Sequence, residues 1–375
     1  GSAQGAQAQV VDEVRRVATR GVRAVTFSEN PSKLGQPSFH DPHWDPFLKA
    51  CDDHAMVVCL HIGSSSEVKL PSIDAPFVTM MTLQPTSVMD TAAELMWSRV
   101  PQTFPNVKFA VIDAVPGEGQ LPNALGVVFR EHEGSFLVGY VAGKLSRTGV
   151  VGFIGGMDIP LIHKFEAGFR AGAEYAFQED GIQGRVLVGY VGNTPAAWND
   201  PAKAKEIASS QARQGADIIY AAAGGSGLGL IDFVKEEMCL REGGAVRFVR
   251  EDRFADVPKY PAYEEKCGEG TTPLFFIGVD SNQNYLGDTD NDPTTLNHGL
   301  TSMVKRVDVA VYDTIKSVVD GTFQGGVKDL GLAEEGVGYA LDEYNQALIP
   351  EEVKARLEEL KQAIINGEIQ VPETR

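Results

Sequence analysis

The chain has 375 residues, of which 43% are hydrophobic and 22% charged, a composition that excludes a largely disordered protein. Its formal net charge of −18 argues against a nucleic-acid partner, because such binding needs clustered Lys and Arg. No apolar run approaches the roughly 18 residues of a membrane-spanning helix, so we expect no membrane span in this chain.

Amphipathic helical stretches alternate with short apolar strands along the chain. The predicted helices are 11–20, 45–55, 91–100, 131–146, 161–177, 201–214, 228–237, 304–319 and 350–365. The predicted strands are 22–27, 56–61, 106–113, 149–154, 185–190, 216–221 and 273–280. Continuous apolar strands between helices are typical of parallel sheets covered on both faces. We therefore predict an α/β protein.

Several predicted strands end at Asp or Gly, namely Asp113, Gly155, Gly224 and Asp280. Ligands of open α/β sheets bind beyond the carboxyl ends of the strands, so these positions are candidate site residues. The structural alternative is that they only end strands and begin turns.

The stretch 238–272 interrupts the alternation, with charge clusters and little periodicity. Loops of this length are usually functional or loosely ordered. Cys239 and Cys267 flank it, and we predict a disulfide between them, with two free surface thiols as the alternative. Cys51 and Cys59 lie in apolar surroundings, and we expect them to be buried thiols.

Five blocks, in order, resemble the basic membrane protein family, also called PnrA-like. They are FREHEGSFLVGYVAG, VGFIGGMDIPLIHKFEAGFRAGAEYA, WNDPAKAKEIASSQARQGADIIYAAAGGSGLGL, FFIGVDSNQ and LTSMVKRVDVAVYDTI. The resemblance covers about 105–375. It implies the extracytoplasmic binding subunit of an ABC transporter, with a purine nucleoside as the ligand.

The resemblance also assigns residues to the two halves of a nucleoside. Trp198 matches the aromatic that stacks on the base, and Asp113 matches the carboxylate that binds it. Gly224 and Gly225 let the backbone approach the ligand.

On the ribose side, Asp280 matches the carboxylate that holds the hydroxyls and Lys305 matches its basic partner. Each assignment has a purely structural alternative. Trp198 would cover a helix N-terminus, both aspartates would end strands, and Lys305 would be a solvated helix residue.

The first third departs from this family, whose D-x-S-F-N-Q segment is missing here. Residues 11–110 instead resemble metal-dependent amidohydrolases of the decarboxylase-related branch, which are TIM barrels. In that family the residue matching His61 binds metal. A catalytic zinc needs about three protein ligands, and the other motifs are absent. His61 alone is therefore only a candidate ligand, and the chain has the pattern of a chimera.

We predict two Rossmann-like lobes of the type I periplasmic-binding-protein architecture. The first is partly built from TIM-barrel-like βα units, with strands 22–27 and 56–61 beside 106–112. The predicted lobes comprise 1–128 with 281–322, and 129–280 with 323–375, where 1–104 is the amidohydrolase-like segment and 238–272 an insertion.

The function implied by the resemblance is a solute-binding receptor that holds a purine nucleoside between its lobes. The missing first-lobe motif removes one wall expected for that site. We expect no catalysis and no cofactor, an ABC-transporter permease as partner, and a periplasmic or extracytoplasmic, lipid-anchored location with the leader upstream of this sequence. The alternative is a fragment of a metal-dependent amidohydrolase or decarboxylase.

Overall fold

The computed structural model describes residues 3–61, 91, 94–95, 98–113 and 122–375. The chain forms two compact units, each made of two segments. The first unit is Gly1–Phe129 with Val307–Leu330, and the second is Arg130–Arg306 with Gly331–Arg375. None of the helices in the described residues has the length and apolar character needed to cross a bilayer.

The first unit contains a five-stranded sheet with strand order β1-β2-β3-β4-β12 and parallel pairing throughout. The strands are β1 (Ala24–Ser28), β2 (Val57–His61), β3 (Lys108–Ile112), β4 (Ala124–Phe129) and β12 (Gly326–Leu330). The predicted adjacency of the first three strands is confirmed. Strands β4 and β12 were not predicted.

The first unit has four helices in its described residues, of which the first three contribute to a buried apolar core. They are α1 (Ala3–Ala18), α2 (Asp45–Asp53), α3 (Val100–Thr103) and α9 (Val307–Val319). Val14 of α1 and Leu48 of α2 pack with Met56 and Phe109 in one cluster. Helix α1 begins eight residues before the predicted start at residue 11. Of the predicted helix 91–100, residues 92–93 and 96–97 lie outside the described residues.

The second unit contains a six-stranded sheet with strand order β13-β11-β10-β7-β5-β6. Its strands are β5 (Val150–Met157), β6 (Arg185–Gly192), β7 (Ile218–Ala222), β10 (Phe275–Asp280), β11 (Gly299–Lys305) and β13 (Val337–Tyr339). All neighbours pair in parallel except β13, which is antiparallel to β11. The fold is therefore the predicted α/β architecture with parallel sheets.

The helices of the second unit are α4 (Glu131–Leu145), α5 (Pro160–Glu179), α6 (Pro201–Arg213), α7 (Gly227–Glu237), α8 (Pro261–Lys266) and α10 (Glu351–Ile365). Helices α4 and α5 approach so closely that a Cβ at Gly139 would overlap the backbone of Phe169, and one at Gly172 the backbone of Phe136. Glycine at these positions is therefore required by backbone contact.

The division into units differs from the predicted lobe boundaries after Asp280. The stretch 281–322 was assigned to the first lobe, but it contains β11, whose residues pair with β10 in the second sheet. The stretch 323–375 was assigned to the second lobe, but it contains β12, which pairs with β4. The chain therefore changes unit after Phe129, Arg306 and Leu330.

The insertion 238–272 is an ordered part of the second unit. Strand β8 (Cys239–Arg241) pairs antiparallel with β9 (Thr271–Pro273), and Cys239 is joined to Cys267 by a disulfide. Arg250 of the insertion donates to Asp180 at 2.6 Å. The disulfide thus joins the two ends of the segment to each other, and polar contacts such as that of Arg250 fasten it to the body of the unit.

Candidate functional site

The candidate site of the second unit lies at the carboxyl ends of its parallel strands. Because these strands run in one direction, their carboxyl ends form one edge of the sheet. Asp280 ends β10 and Lys305 ends β11. Short 3₁₀ turns after β6 and β7 carry Trp198 and Gly224. The structure therefore brings five of the six predicted binding residues, Trp198, Gly224, Gly225, Asp280 and Lys305, to one edge.

The Trp198 ring lies across the ends of β5 and β7. A Cβ at Gly156 would overlap this ring, and one at Gly224 would lie 3.4 Å from it. Gly224 has φ of +54°, a region that glycine adopts without steric cost. Small residues at these strand ends therefore make room for the half-buried indole.

The hydroxyl of Ser226 joins the two turns. It donates to the carbonyl of Ala197 at 2.7 Å and accepts from the N–H of Asp200 at 2.6 Å. Ser226 is fully buried, so these hydrogen bonds form away from solvent and are costly to lose. Sequence reasoning missed Ser226, because a serine in a glycine-rich turn gives no signal of a partner 29 residues earlier.

Asp280 occupies a tight turn and is an exposed residue. The N–H of Ser281 donates to the carbonyl of Val279 at 2.7 Å, and φ of Asp280 is +64°. This is a γ-turn with the rare, strained sign of φ. Strained backbone of this kind occurs preferentially at functional sites.

The loop after Asp280 is held by polar side chains that are buried or half-buried. Gln283 accepts from the N–H of Val279 at 3.0 Å and donates its own N–H to Ser302 at 3.0 Å. Ser302 in turn donates to Asn284 at 2.9 Å, and Asp342 accepts from the Asn284 amide at 3.1 Å. These contacts connect the turn to β11 and to the segment after β13.

Lys305 is a strand residue, so the alternative of a solvated helix residue is wrong. It follows Val304, the register partner of Asp280, and its side chain is only 7% exposed. Its Nζ lies 3.4 Å from Oε1 of Glu131, a carboxylate that is 1% exposed. Burial raises the pKa of the Tyr220 phenol well above its ordinary value, and the nearby negative charges of Asp280 and Glu131 add to the rise.

Asp113, the sixth predicted binding residue, belongs to the first unit. It directly follows β3 and is exposed, with φ of +60°. Its N–H donates to the carbonyl of Val127 at 2.8 Å. Asp113 and Asp280 therefore share two features, a position at the carboxyl end of a parallel strand and a left-handed backbone that non-glycine residues seldom adopt.

No group of three His, Cys, Asp or Glu side chains in the described part of the chain is arranged to hold a metal ion. His61, the metal candidate, ends strand β2.

Both α/β units carry polar or aromatic residues at the carboxyl ends of parallel strands, the edge at which open α/β sheets bind ligands. Residues 92–375 match the Bmp family model, described as ABC transporter substrate-binding protein PnrA-like, and the chain belongs to this family. Its members are solute-binding receptors rather than enzymes. Residues 1–91 lie outside the match, whereas 92–110 of the predicted amidohydrolase-like stretch 11–110 lie inside it. The amidohydrolase resemblance stays a prediction.

Curated relatives agree with the family assignment. The chain is 35% identical over 279 residues to a CD4+ T-cell-stimulating antigen of Listeria monocytogenes, covering 73% of this chain and 66% of that protein. It is 32% identical over 271 residues to basic membrane protein A2 of Borrelia garinii, covering 72% and 65%. The matched region thus spans just under two thirds of these relatives.

Solved structures share the fold. A solute-binding protein of an ABC transporter system from Aeropyrum pernix matches with a TM-score of 0.57 and 24% identity, covering 94% of each chain. A corresponding protein from Conexibacter woesei has a TM-score of 0.56 and 16% identity, covering 94% of this chain and 99% of that one. At these identities the comparison concerns the fold alone.

Proposed function

We propose that the protein is a receptor that binds a purine nucleoside and delivers it to an ABC-transporter permease. The observation that supports this most is the joint placement of Trp198, Asp280 and Lys305 at one sheet edge of the second unit. These side chains offer an aromatic face, an acceptor and a donor, which are the groups that a base and a ribose require.

The base would stack on Trp198. A purine is flat and apolar on its faces, so stacking on an indole contributes binding energy at little cost in conformational freedom. The backbone at Gly224 and Gly225 lies against Trp198, since a Cβ at either position would come within 3.4 Å of Trp198 atoms. We assign Asp113 to the polar edge of the base on the family resemblance alone.

The ribose would bind to Asp280 and Lys305. A hydroxyl can donate to a carboxylate and accept from an ammonium at the same time, and two adjacent hydroxyls can use both groups. Asp280 is exposed, and its carboxylate oxygens accept hydrogen bonds from hydroxyls. Hydrogen bonds to charged groups are the stronger kind, so this pair would contribute much of the selectivity for sugar hydroxyls.

Family membership supports the remaining parts of the proposal. A lipoprotein of Pyrococcus horikoshii is 32% identical to this chain over 245 residues, 64% of this chain and 50% of that protein. We therefore propose an extracytoplasmic, lipid-anchored location, with a permease as the macromolecular partner. No bond is made or broken in capture and delivery.

Isothermal titration with guanosine, inosine and adenosine tests the proposal. We expect saturable binding of at least one nucleoside, weakened about tenfold or more by Trp198→Ala, since base stacking contributes roughly 1–3 kcal/mol. Tyr312→Ala removes an aromatic that is 66% exposed on α9 and serves as the control. No heat with any of the three, from a chain that circular dichroism shows to be folded, would refute nucleoside binding.

A further inference from the structure

Glu131 is a buried carboxylate that lies between two lysines of the second unit. Its Oε1 is 3.4 Å from Nζ of Lys305, and its Oε2 is 3.8 Å from Nζ of Lys164. The Glu131 side chain is 1% exposed, that of Lys305 7% and that of Lys164 27%. Each carboxylate oxygen therefore faces a different ammonium group, and the more deeply buried ammonium is that of Lys305.

The position of Glu131 in the fold favours its charged form. Glu131 is in the first turn of α4, where the positive end of the helix dipole stabilises a carboxylate. A buried charge without a partner is very unfavourable. Removal of the opposing carboxylate would therefore take away a negative charge that stabilises the Lys305 ammonium in this buried position.

A buried ion pair of this kind contributes little net stability, because desolvation offsets most of the attraction. Apolar residues of similar size would pack as well. What the pair supplies is a lysine whose charge and position are set before any ligand arrives. Preorganised polar groups of this kind increase affinity because the ligand does not have to order them.

The pair lies next to the residue that we assign to the ribose. Lys305 follows the register partner of Asp280 on the adjacent strand. Burial is the main cause of the raised pKa of the Tyr220 phenol in β7, and the negative charges of Asp280 and Glu131 add to it. Glu131 itself is too deeply buried to serve as a ligand-contacting residue.

We propose that Glu131 is a positioning residue for ribose selection. It holds the Lys305 ammonium charged and fixed at the end of β11, next to the end of β10 that carries Asp280. The receptor thereby distinguishes nucleosides with 2′ and 3′ hydroxyls from those without them. This inference rests on the proposed nucleoside-binding function. Glu131 acts through Lys305 and makes no contact with the ligand.

The test compares two ligands and three variants by isothermal titration. Guanosine and 2′,3′-dideoxyguanosine differ only in the two hydroxyls. Glu131→Gln keeps the shape of the side chain and removes its charge, while Glu131→Asp keeps the charge and shortens the side chain. Glu174→Gln is the matched control, since Glu174 lies on α5 with its side chain 60% exposed.

We expect Glu131→Gln to weaken guanosine binding about tenfold or more, as the loss of a hydrogen bond to a charged group would. Binding of dideoxyguanosine should stay within about twofold of the wild-type value, since that ligand does not use Lys305. Glu131→Asp should reduce the preference for guanosine over dideoxyguanosine by roughly threefold. If Glu131→Gln does not fold, the comparison of the two ligands is made with Glu131→Asp instead. Glu174→Gln should leave both affinities unchanged.

Three outcomes would overturn the inference. Equal weakening of both ligands by the Glu131 variants would show a general structural role. Unchanged discrimination in both folded variants would show that Glu131 does not act through Lys305. Either result leaves the proposed function standing, whereas a wild-type chain that binds neither these ligands nor inosine nor adenosine would overturn function and inference together.

Discussion

The hydroxyl of Tyr260 lies 2.7 Å from Nε2 of His298, and Nδ1 of the same imidazole lies 2.7 Å from the carbonyl oxygen of Leu274. A carbonyl can only accept, so Nδ1–H donates to Leu274 and Nε2 accepts from the tyrosine O–H. The neutral imidazole thus connects the insertion, which contains Tyr260, to the end of the second sheet. His298 is fully buried, and burial lowers its pKa to about 4.

We predict that this histidine makes the second unit sensitive to acid. An unfolded histidine titrates near its ordinary value of about 6.5, above the folded pKa of about 4. The stabilisation by the neutral imidazole is therefore complete above about pH 6.5 and is lost as the pH falls through the folded pKa, by up to about 3 kcal/mol. Urea unfolding at pH 4, 5.5 and 7 measures the change in the free energy of unfolding.

His298→Gln should be less stable than wild type at pH 7 but should lose less stability between pH 7 and pH 4. His40→Gln is the control, since His40 is exposed. A pH profile of His298→Gln parallel to that of wild type would show that another group causes the acid sensitivity.

The disulfide between Cys239 and Cys267 should contribute substantially to stability. It closes a loop with a sequence separation of 28, and the loop-closure relation gives about 3 to 4 kcal/mol for that length. The double variant Cys239→Ser, Cys267→Ser should unfold at a correspondingly lower urea concentration. Reductant should destabilise the wild type to the same extent and leave the stability of the double variant unchanged. An effect of reductant on the stability of the double variant would point to other thiols.

Substitution at the α4–α5 contact should be destabilising although it adds only a methyl group. A Cβ at Gly172 would overlap the carbonyl oxygen of Phe136, so Gly172→Ala must separate two helices and should cost about 1 to 3 kcal/mol. Gly268→Ala is the control, because its Cβ would meet no atom within 4 Å. Equal melting temperatures for the two variants would show that the helices can adjust freely.

Loss of the Ser226 hydroxyl should affect both stability and ligand binding. Ser226→Ala leaves the N–H of Asp200 and the carbonyl of Ala197 without this buried partner, which should cost about 1 to 3 kcal/mol of unfolding free energy. The turn that carries Trp198 would also be less ordered, so nucleoside affinity should fall several-fold. Ser209→Ala on α6 is the control. A Ser226→Ala protein that binds nucleoside with wild-type affinity would show that this hydroxyl does not contribute to the binding site.

The alternation of helices and apolar strands was sufficient to predict the parallel sheets, including the adjacency of β1, β2 and β3. Local patterns carry this information because the spacing of apolar residues in each strand or helix indicates which of its faces is buried. The boundaries between units were predicted less well. Strand β12 pairs with β4, which lies far from it in sequence, and β11, which pairs with β10, was not predicted as a strand. No local pattern states which sheet a strand joins.

For the candidate site, too, some features were predictable from the sequence and others were not. The sequence by itself determined the family, the residue types Trp198, Asp280 and Lys305, and the cysteine pair that flanks the insertion, because motifs and spacing are properties of the linear chain. Only the tertiary structure decided that Lys305 ends a strand and faces the buried Glu131, and that Ser226 joins two turns. These relationships depend on which surfaces pack together, and packing joins residues whose separation along the chain leaves no local signal.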